Sequence, residues 1–380
     1  MASQGSVSVQ FVGDCAAKRA RAAEIFMGVQ DALRDCHLLV GQLETVITER
    51  GSQAPHAALA MRTSPEFAAV LRDAGFEAMS FAGNHCLDWG REGFSDTLAH
   101  AAAAGLTLFG AGENLAEARR PAIVERQGVR FAWLGYSSIL PLGYWADNRR
   151  PGCAPLRAFT AYEQIEHDQP GTPARILSWP HSGDLADMVE DIVAARDRAD
   201  VVLVSIHWGL HMVEAEIADY QRDIARAAVS AGASAILGHH PHILKGVEFI
   251  DGVPVFYSLG NFAIEQPQAF DPSIVESASF RHLMSLNLNA QPDELYVLPP
   301  DTRMTGIARL EFDGSQLVRT YFRPAWIGDD SVPRTLVCDD PQFGRTADYL
   351  KRISACQGLS LRLREENDML LLTDGNTDQA

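Results

Sequence analysis

The sequence predicts an α/β layered fold. Short apolar and β-branched runs alternate with Ala-rich helical patterns. The runs recur about 25 to 40 residues apart, the spacing of strands separated by helices. Glycine follows two of the helical patterns directly, at Ala74-Gly75 and Ala104-Gly105, where a left-handed residue closes a helix. The 380 residues are 47% hydrophobic and 21% charged, a composition that buries a core and excludes a mostly disordered chain.

In chain order, the predicted strands are Val7–Gly13, His37–Leu43, Ala78–Phe81, Leu106–Phe109, Val129–Tyr136, Val201–Ile206, Ala235–Gly238 and Val253–Leu259. Each is a run of β-branched or aromatic residues bounded by turn formers. Predicted helices are Ala16–Cys36, Pro65–Ala74, Gly93–Ala104, Leu185–Ala195 and Tyr220–Ala231. Residues 137–184 break the rhythm with Pro141, Pro151, Pro155, Pro170, Pro173 and Pro180, and read as a loop-rich insertion that could close as a lid. A main domain over 1–300 is expected, followed by an extension over 301–380 packed on it. That extension holds a hairpin, Gly306–Phe312 and Leu317–Phe322 about Asp313-Gly314, then a helix Tyr349–Arg362 and a frayed tail Asp374–Ala380.

A formal charge of −17 opposes binding to phosphate backbones or anionic bilayers, so neither nucleic acid nor a membrane surface is an expected partner. The six cysteines are scattered and form no C-x-x-C pair, which fits a reducing compartment and excludes a zinc ribbon. Met1-Ala2-Ser3-Gln4-Gly5 has no basic start and no apolar run follows it before the first strand. No stretch reaches the roughly 18 apolar residues of a membrane span. A cytoplasmic protein is the expectation.

Polar residues gather at the predicted strand ends, where open α/β sheets bind ligands. They are Gly13-Asp14, Leu43-Glu44-Thr45, Gly83-Asn84-His85-Cys86-Leu87-Asp88, His207-Trp208-Gly209, Gly238-His239-His240-Pro241-His242 and Tyr257-Ser258-Leu259-Gly260-Asn261-Phe262. Taken singly, Asp14 reads as a helix N-cap as readily as a ligand, and His207 as a hydrogen-bonded core histidine. Three histidines in four residues after a buried strand are costly without partners, and neutral imidazole is the commonest metal ligand. The convergence points to one metal or acid/base site. His37, His56, His100, His167, His181, His211 and His282 lie outside these motifs. Asn261 is expected to bond loop backbone at the floor of the site.

These six ordered motifs, spanning about residues 7–265, resemble the CapA family, poly-γ-glutamate capsule-synthesis proteins within the calcineurin-like metallophosphoesterases. The resemblance implies two packed β-sheets flanked by helices, with the site at the strand C-terminal ends. It implies one divalent metal held by Glu44, Asn84, His207 and His240, with Mn, Ca, Fe and Zn not distinguished by this mixed oxygen and nitrogen set. The first-strand motif reads Asp14-Cys15-Ala16, with Ala16 where the superfamily carries a second-metal His. Asp14 and His242 are then free to pair, as His85 and Asp88 could. A carboxylate on one ring nitrogen fixes the tautomer and raises the basicity of the other.

Three activities compete. One is metal-dependent hydrolysis of a phosphoester or amide; another is synthesis or processing of poly-γ-glutamate. The favoured expectation follows resemblance to a leaderless CapA-like branch associated with lasso-peptide biosynthesis. It is a peptide epimerase in which His85–Asp88 and His242–Asp14 move a Cα proton from opposite faces. Tyr144, Trp145, Arg149 and Arg150 in the insertion are candidates for gripping the peptide.

Overall fold

The structure is a computed structural model describing residues 6–55, 57–169, 171–291 and 295–376. Its architecture rests on two sheets. In the first, the strands Ser6–Ala16, Leu38–Leu43, Phe76–Ser80 and Thr107–Phe109 run parallel, each beside the next. On the other side of Ser6–Ala16 lie the antiparallel Met304–Asp313 and then Gln316–Ile327, Met369–Asp374 and Leu361–Glu366. The second sheet is parallel through Val129–Ser137, Val201–His207, Ala235–His239 and Val253–Phe256, with antiparallel edges Ala122–Arg126 and Val247–Ile250.

Alternation along the strands explains the layers. Val7, Val9 and Phe11 of the first sheet face Phe131, Trp133, Val201, Leu203 and Leu237 of the second in one core. Phe11 and Trp133 meet at 5.2 Å between ring centroids. The outer face of the second sheet, with Leu134, Val204 and Ile236, packs on the helices Ser182–Arg196 and Asp219–Ala231. Leu39 and Met79 of the first sheet pack on Phe67–Ala74 and Gly90–Ala103. Both expected left-handed glycines are present, Gly75 at φ 114° and Gly105 at φ 71°.

Several elements differ from expectation for identifiable reasons. Ala16–Cys36 is not one helix. The first strand continues to Ala16 because residues 14–16 pair with Asn261–Ile264, and only Ala22–Phe26 (3-10) and Gln30–Arg34 are helical. Buried Ile25, Phe26, Val29 and Leu33 are drawn into the core there, and tertiary packing overrides local propensity. The last helix is Pro341–Cys356 rather than Tyr349–Arg362: Asp340 caps it through Gln342 N–H, Pro341 opens it and Gly358 at φ 70° follows its end. Residues 361–366 are therefore strand. The tail stays ordered in a strand through Asp374, and residues 377–380 lie outside the described residues, as do His56 and Pro170. The insertion contains its own exposed hairpin, Ala158–Glu163 with Arg175–Pro180. The hairpin at 304–327 pairs directly with the first strand, so this part of the C-terminal region shares a sheet with the N-terminus. Among the described residues no helix is long and apolar enough to cross a membrane.

Candidate metal and acid–base site

Both parallel halves end their strands at one place. Asp14 sits at a register shift near the end of the first strand, opposite Gln42 on one side and Asn261 on the other. Gly13 allows that approach, since a Cβ there would sit 1.9 Å from the Gly260 carbonyl oxygen. Glu44 follows the second strand and its N–H donates to Cys15 O at 3.0 Å. Gly83 turns the chain so that Asn84 and His85 reach inward; a Cβ at Gly83 would stand 3.5 Å from Glu44 Oε2 and 3.7 Å from His207 Cε1. From the second sheet, His207 and His239 close their strands. His240 and His242 follow at φ 94° and 58°, left-handed backbone that is costly for histidine and is typical of functional sites.

Asp14, Glu44 and His207 each present a ligand atom within 4.8 Å of the others. His207 Nε2 lies 2.7 Å from Asn84 Oδ1 and 3.6 Å from Glu44 Oε1. The His240 ring is 4.9 Å from that of His207. On the flanks, His85 Nδ1 bonds Asp88 Oδ2 at 2.6 Å, with its Nε2 3.8 Å from Glu44 Oε1. Asp88 is itself held by Met61 N–H at 2.8 Å and lies 3.5 Å from the Tyr144 hydroxyl. His242 Nδ1 bonds Asn261 Oδ1 at 2.7 Å and lies 3.4 Å from Asp14 Oδ2.

The electrostatics of this cluster are unbalanced without a cation. Both carboxylate oxygens of Asp14 and both of Glu44 are buried with no hydrogen-bond partner, as are Nδ1 of His207, His239 and His240. Burial pushes both carboxyls up, reinforced at Asp14 by the Glu44 charge and, at Glu44, opposed by His85 and reinforced by Asp88, which leaves Glu44 at about 7. Burial holds His207 and His240 far below the ordinary imidazole range and takes His239 to about 3. Unpartnered oxygens and neutral ring nitrogens around one point are what a divalent cation satisfies, and the donor set fits one.

The structure brings Glu44, Asn84, His207 and His240 together, and adds Asp14, which had been expected to pair with His242. Asn261, not Asp14, is the nearer partner of the His242 ring, and Asn261 bonds this side chain rather than loop backbone. His211 was passed over, yet its ring stands 5.0 Å from that of His240 and 4.9 Å from that of His242. It lies four residues beyond its strand end, outside any motif, so spacing alone did not expose it.

A cavity of about 310 Å³ opens beside the cluster. His85, His242, Asn84 and His211 are on its wall together with Met61, Ile264, Phe270, Phe280, Leu283 and Leu298. Tyr144 is buried beside Asp88 instead of lining it. Trp145 lies under the Arg157 guanidinium, and exposed Arg149 and Arg150 bond Asp147, so these three expected gripping residues also fall outside its wall. The apolar part of the wall comes mostly from residues 57–61 and 264–298, segments without a motif to mark them, with Pro141 of the insertion and Met212 beside them.

The family described as "Bacterial capsule synthesis protein PGA_cap" matches residues 8–266. The PGA biosynthesis protein CapA of Bacillus subtilis is 30% identical over 270 residues, 68% of this chain and 64% of that protein. The capsule biosynthesis protein CapA of Bacillus anthracis is 28% identical over 245 residues, 64% of this chain and 54% of that protein. The chain thus spans less than two thirds of the length of these curated relatives. Among solved structures, the calcineurin-like phosphoesterase YfkN of Bacillus subtilis aligns at 14% identity and a TM-score of 0.43, covering 92% of this chain and 97% of that one. By the extent of the sequence match, the chain belongs to the PGA_cap family of bacterial capsule synthesis proteins.

Proposed function

We propose that this chain is a metal-assisted acid/base enzyme that inverts a Cα centre of a peptide substrate. The observation that carries the reading is that two imidazoles from different sheets, His85 and His242, line a single cavity whose remaining wall is largely apolar. Nδ1–H of His85 donates to Asp88 and Nδ1–H of His242 to Asn261, which leaves Nε2 of each ring for chemistry. Their surroundings differ. Burial opposes the charged form of His85, but the charge and hydrogen bond of Asp88, with Glu44 behind, outweigh it and raise the ring to about 9. Burial takes His242 down to about 4 despite its Asn261 bond. One ring carries a proton to give while the other has a lone pair to receive, the division an acid/base pair needs. Asp14, 3.4 Å from His242 Nδ1, increases that ring's basicity whenever it is ionised. A divalent cation held by Asp14, Glu44, Asn84, His207 and His240 would supply fixed positive charge for the oxyanion that develops as Cα loses its proton.

Candidate precursor peptides of the lasso type, incubated with enzyme and metal in D₂O, should gain one deuteron at a single inverted residue. His85→Ala and His242→Ala should each lower inversion about 10²–10⁴-fold. Wild-type inversion in either variant would end the two-imidazole mechanism. A second reading, synthesis or processing of poly-γ-glutamate, is favoured by the names of the two CapA relatives, which are biosynthesis proteins for PGA and for capsule. Release of soluble glutamyl oligomers from poly-γ-glutamate, with no deuterium uptake into peptides, would select it. Turnover of p-nitrophenyl phosphate at the rate of a two-metal enzyme would instead select phosphoester hydrolysis.

A further inference from the structure

The six thiols are far apart in sequence, yet Sγ of Cys86 and Sγ of Cys153 lie 3.0 Å apart. Neither residue is needed for the chemistry above, and both are almost wholly buried, at 1% and 0% exposure. Their positions are set by backbone. Cys86 N–H donates to Gly83 O at 3.3 Å in the turn that carries Asn84 and His85. Cys153 is paired with Ala111, its N–H donates to Tyr144 O at 3.0 Å and its carbonyl accepts from Ala146 N–H at 2.9 Å. Gly83 N–H points at Cys153 Sγ from 3.4 Å, and Phe81 O is 3.4 Å from the same sulfur. The sulfurs are held facing each other, and a bond of about 2.05 Å needs each to move by only about half an ångström. Among the described residues no other pair of thiols makes such a contact.

We propose that Cys86 and Cys153 are a disulfide site, a covalent strap that joins the Asn84-His85 turn to the insertion. The donor is a small disulfide such as oxidised glutathione. One cysteine thiolate attacks it, forming a mixed disulfide and releasing one glutathione thiol. The second cysteine thiolate displaces the other glutathione. Two cysteine S–H bonds are thereby exchanged for one S–S bond, and two thiols leave. Both sulfurs are closed off from solvent, so exchange takes place while the chain folds or opens and the closed bond is then shielded. The strap closes a loop between positions 67 residues apart, which restricts the unfolded chain.

The full chain is unfolded, refolded in a mixture of oxidised and reduced glutathione, denatured and blocked with iodoacetamide. Four of the six cysteines should be alkylated, and digestion should yield a Cys86 peptide linked to a Cys153 peptide. Dithiothreitol should restore six alkylated sites and shift the melting temperature of the refolded protein downward. Cys153→Ser should show five alkylated cysteines and no such shift. Six alkylated cysteines in the oxidised wild type, a lasting glutathione adduct on Cys86, or a bond to Cys15, Cys36, Cys338 or Cys356 would each overturn the proposal.

Discussion

The two sheets bring opposite chemistry to the same point. The first supplies oxygen: Asp14, Glu44 and Asn84 come from the ends of its parallel strands. The second supplies nitrogen: His207, His239, His240 and His242 follow its strand ends. In both, burial disfavours charge, which raises the acids and lowers the imidazoles. Hydrogen bonding between the sets is confined to the His207–Asn84 contact, and the four carboxylate oxygens of Asp14 and Glu44 stay without hydrogen-bond partners. The site is therefore not a self-contained salt-bridge cluster. A cation bound between the two halves would supply the partners that the unsatisfied oxygens and ring nitrogens lack.

The sharpest way to break this comparison is to neutralise one oxygen donor. Glu44→Gln keeps the shape of the side chain and removes its charge. Divalent-metal affinity should fall by at least about 10–100-fold, the loss seen even for outer partners of metal ligands. In metal-stripped protein the same substitution should raise the melting temperature, since it removes a buried carboxylate that has no hydrogen-bond partner and only the His85 ring, 3.8 Å away, as a counter-charge. In metal-loaded protein it should lower it. Calorimetric titration and paired melts with and without chelator read both effects. A variant destabilised equally in both conditions would show that Glu44 is held by neighbours rather than by a metal.

A smaller effect separates the sheets by pH, again in metal-stripped protein. Glu44 is raised in the folded chain to about 7. The stability linked to its protonated form is present below its unfolded value of about 4.3 and is lost as pH rises through about 7. His242 is lowered to about 4 against an unfolded value of about 6.5. There the unfolded chain binds the proton more readily, and stability is lost as pH falls from about 6.5 toward 4. Relative to wild type, Glu44→Gln should gain stability as pH rises across this window and His242→Asn as pH falls. Each slope is at most about 1.4 kcal/mol per pH unit. Thermal melts at successive pH values test the signs, and parallel slopes would remove the distinction between the sheets.

Strand ends and the pairing between distant segments differ in how legible they are in the sequence. Strand ends were readable in both sheets, because β-branched runs stop at Gly-Asp, Gly-Asn-His and Gly-His-His-Pro-His, and these motifs place most of the cluster. Pairing across the chain was not readable. The extension of the first strand to Ala16 depends on Asn261–Ile264, and the partner of His242 is Asn261 on that same segment. His211 and the apolar wall at Phe270, Phe280 and Leu283 carry no periodic or motif signal, since they are assembled by tertiary packing alone. The scattered cysteines read as unrelated because 67 residues separate the two that meet.

The smallest predicted effect concerns the loops outside the sheets, where the 264–298 segment supplies the cavity wall that was expected from the insertion. Arg149 and Arg150 sit in an exposed turn and are engaged with Asp147, away from the cavity wall. Phe280 and Leu283, by contrast, face the cavity that His85 and His242 share. A side chain that buries apolar substrate surface contributes about 1.5–3 kcal/mol when fully used, and less at a partly open wall. Phe280→Ala should therefore raise KM for the proposed peptide substrate by about tenfold with little change in kcat, the mark of binding lost equally from ground and transition states. Arg149→Ala and Arg150→Ala should stay within about twofold of wild type in both constants, because neither side chain reaches the wall, Arg149 meets Asp147 only through its backbone N–H, and the exposed Arg150–Asp147 ion pair contributes little. If instead the arginine variants raise KM and Phe280→Ala does not, the peptide is gripped by the insertion. The apolar cavity would then not be where it binds.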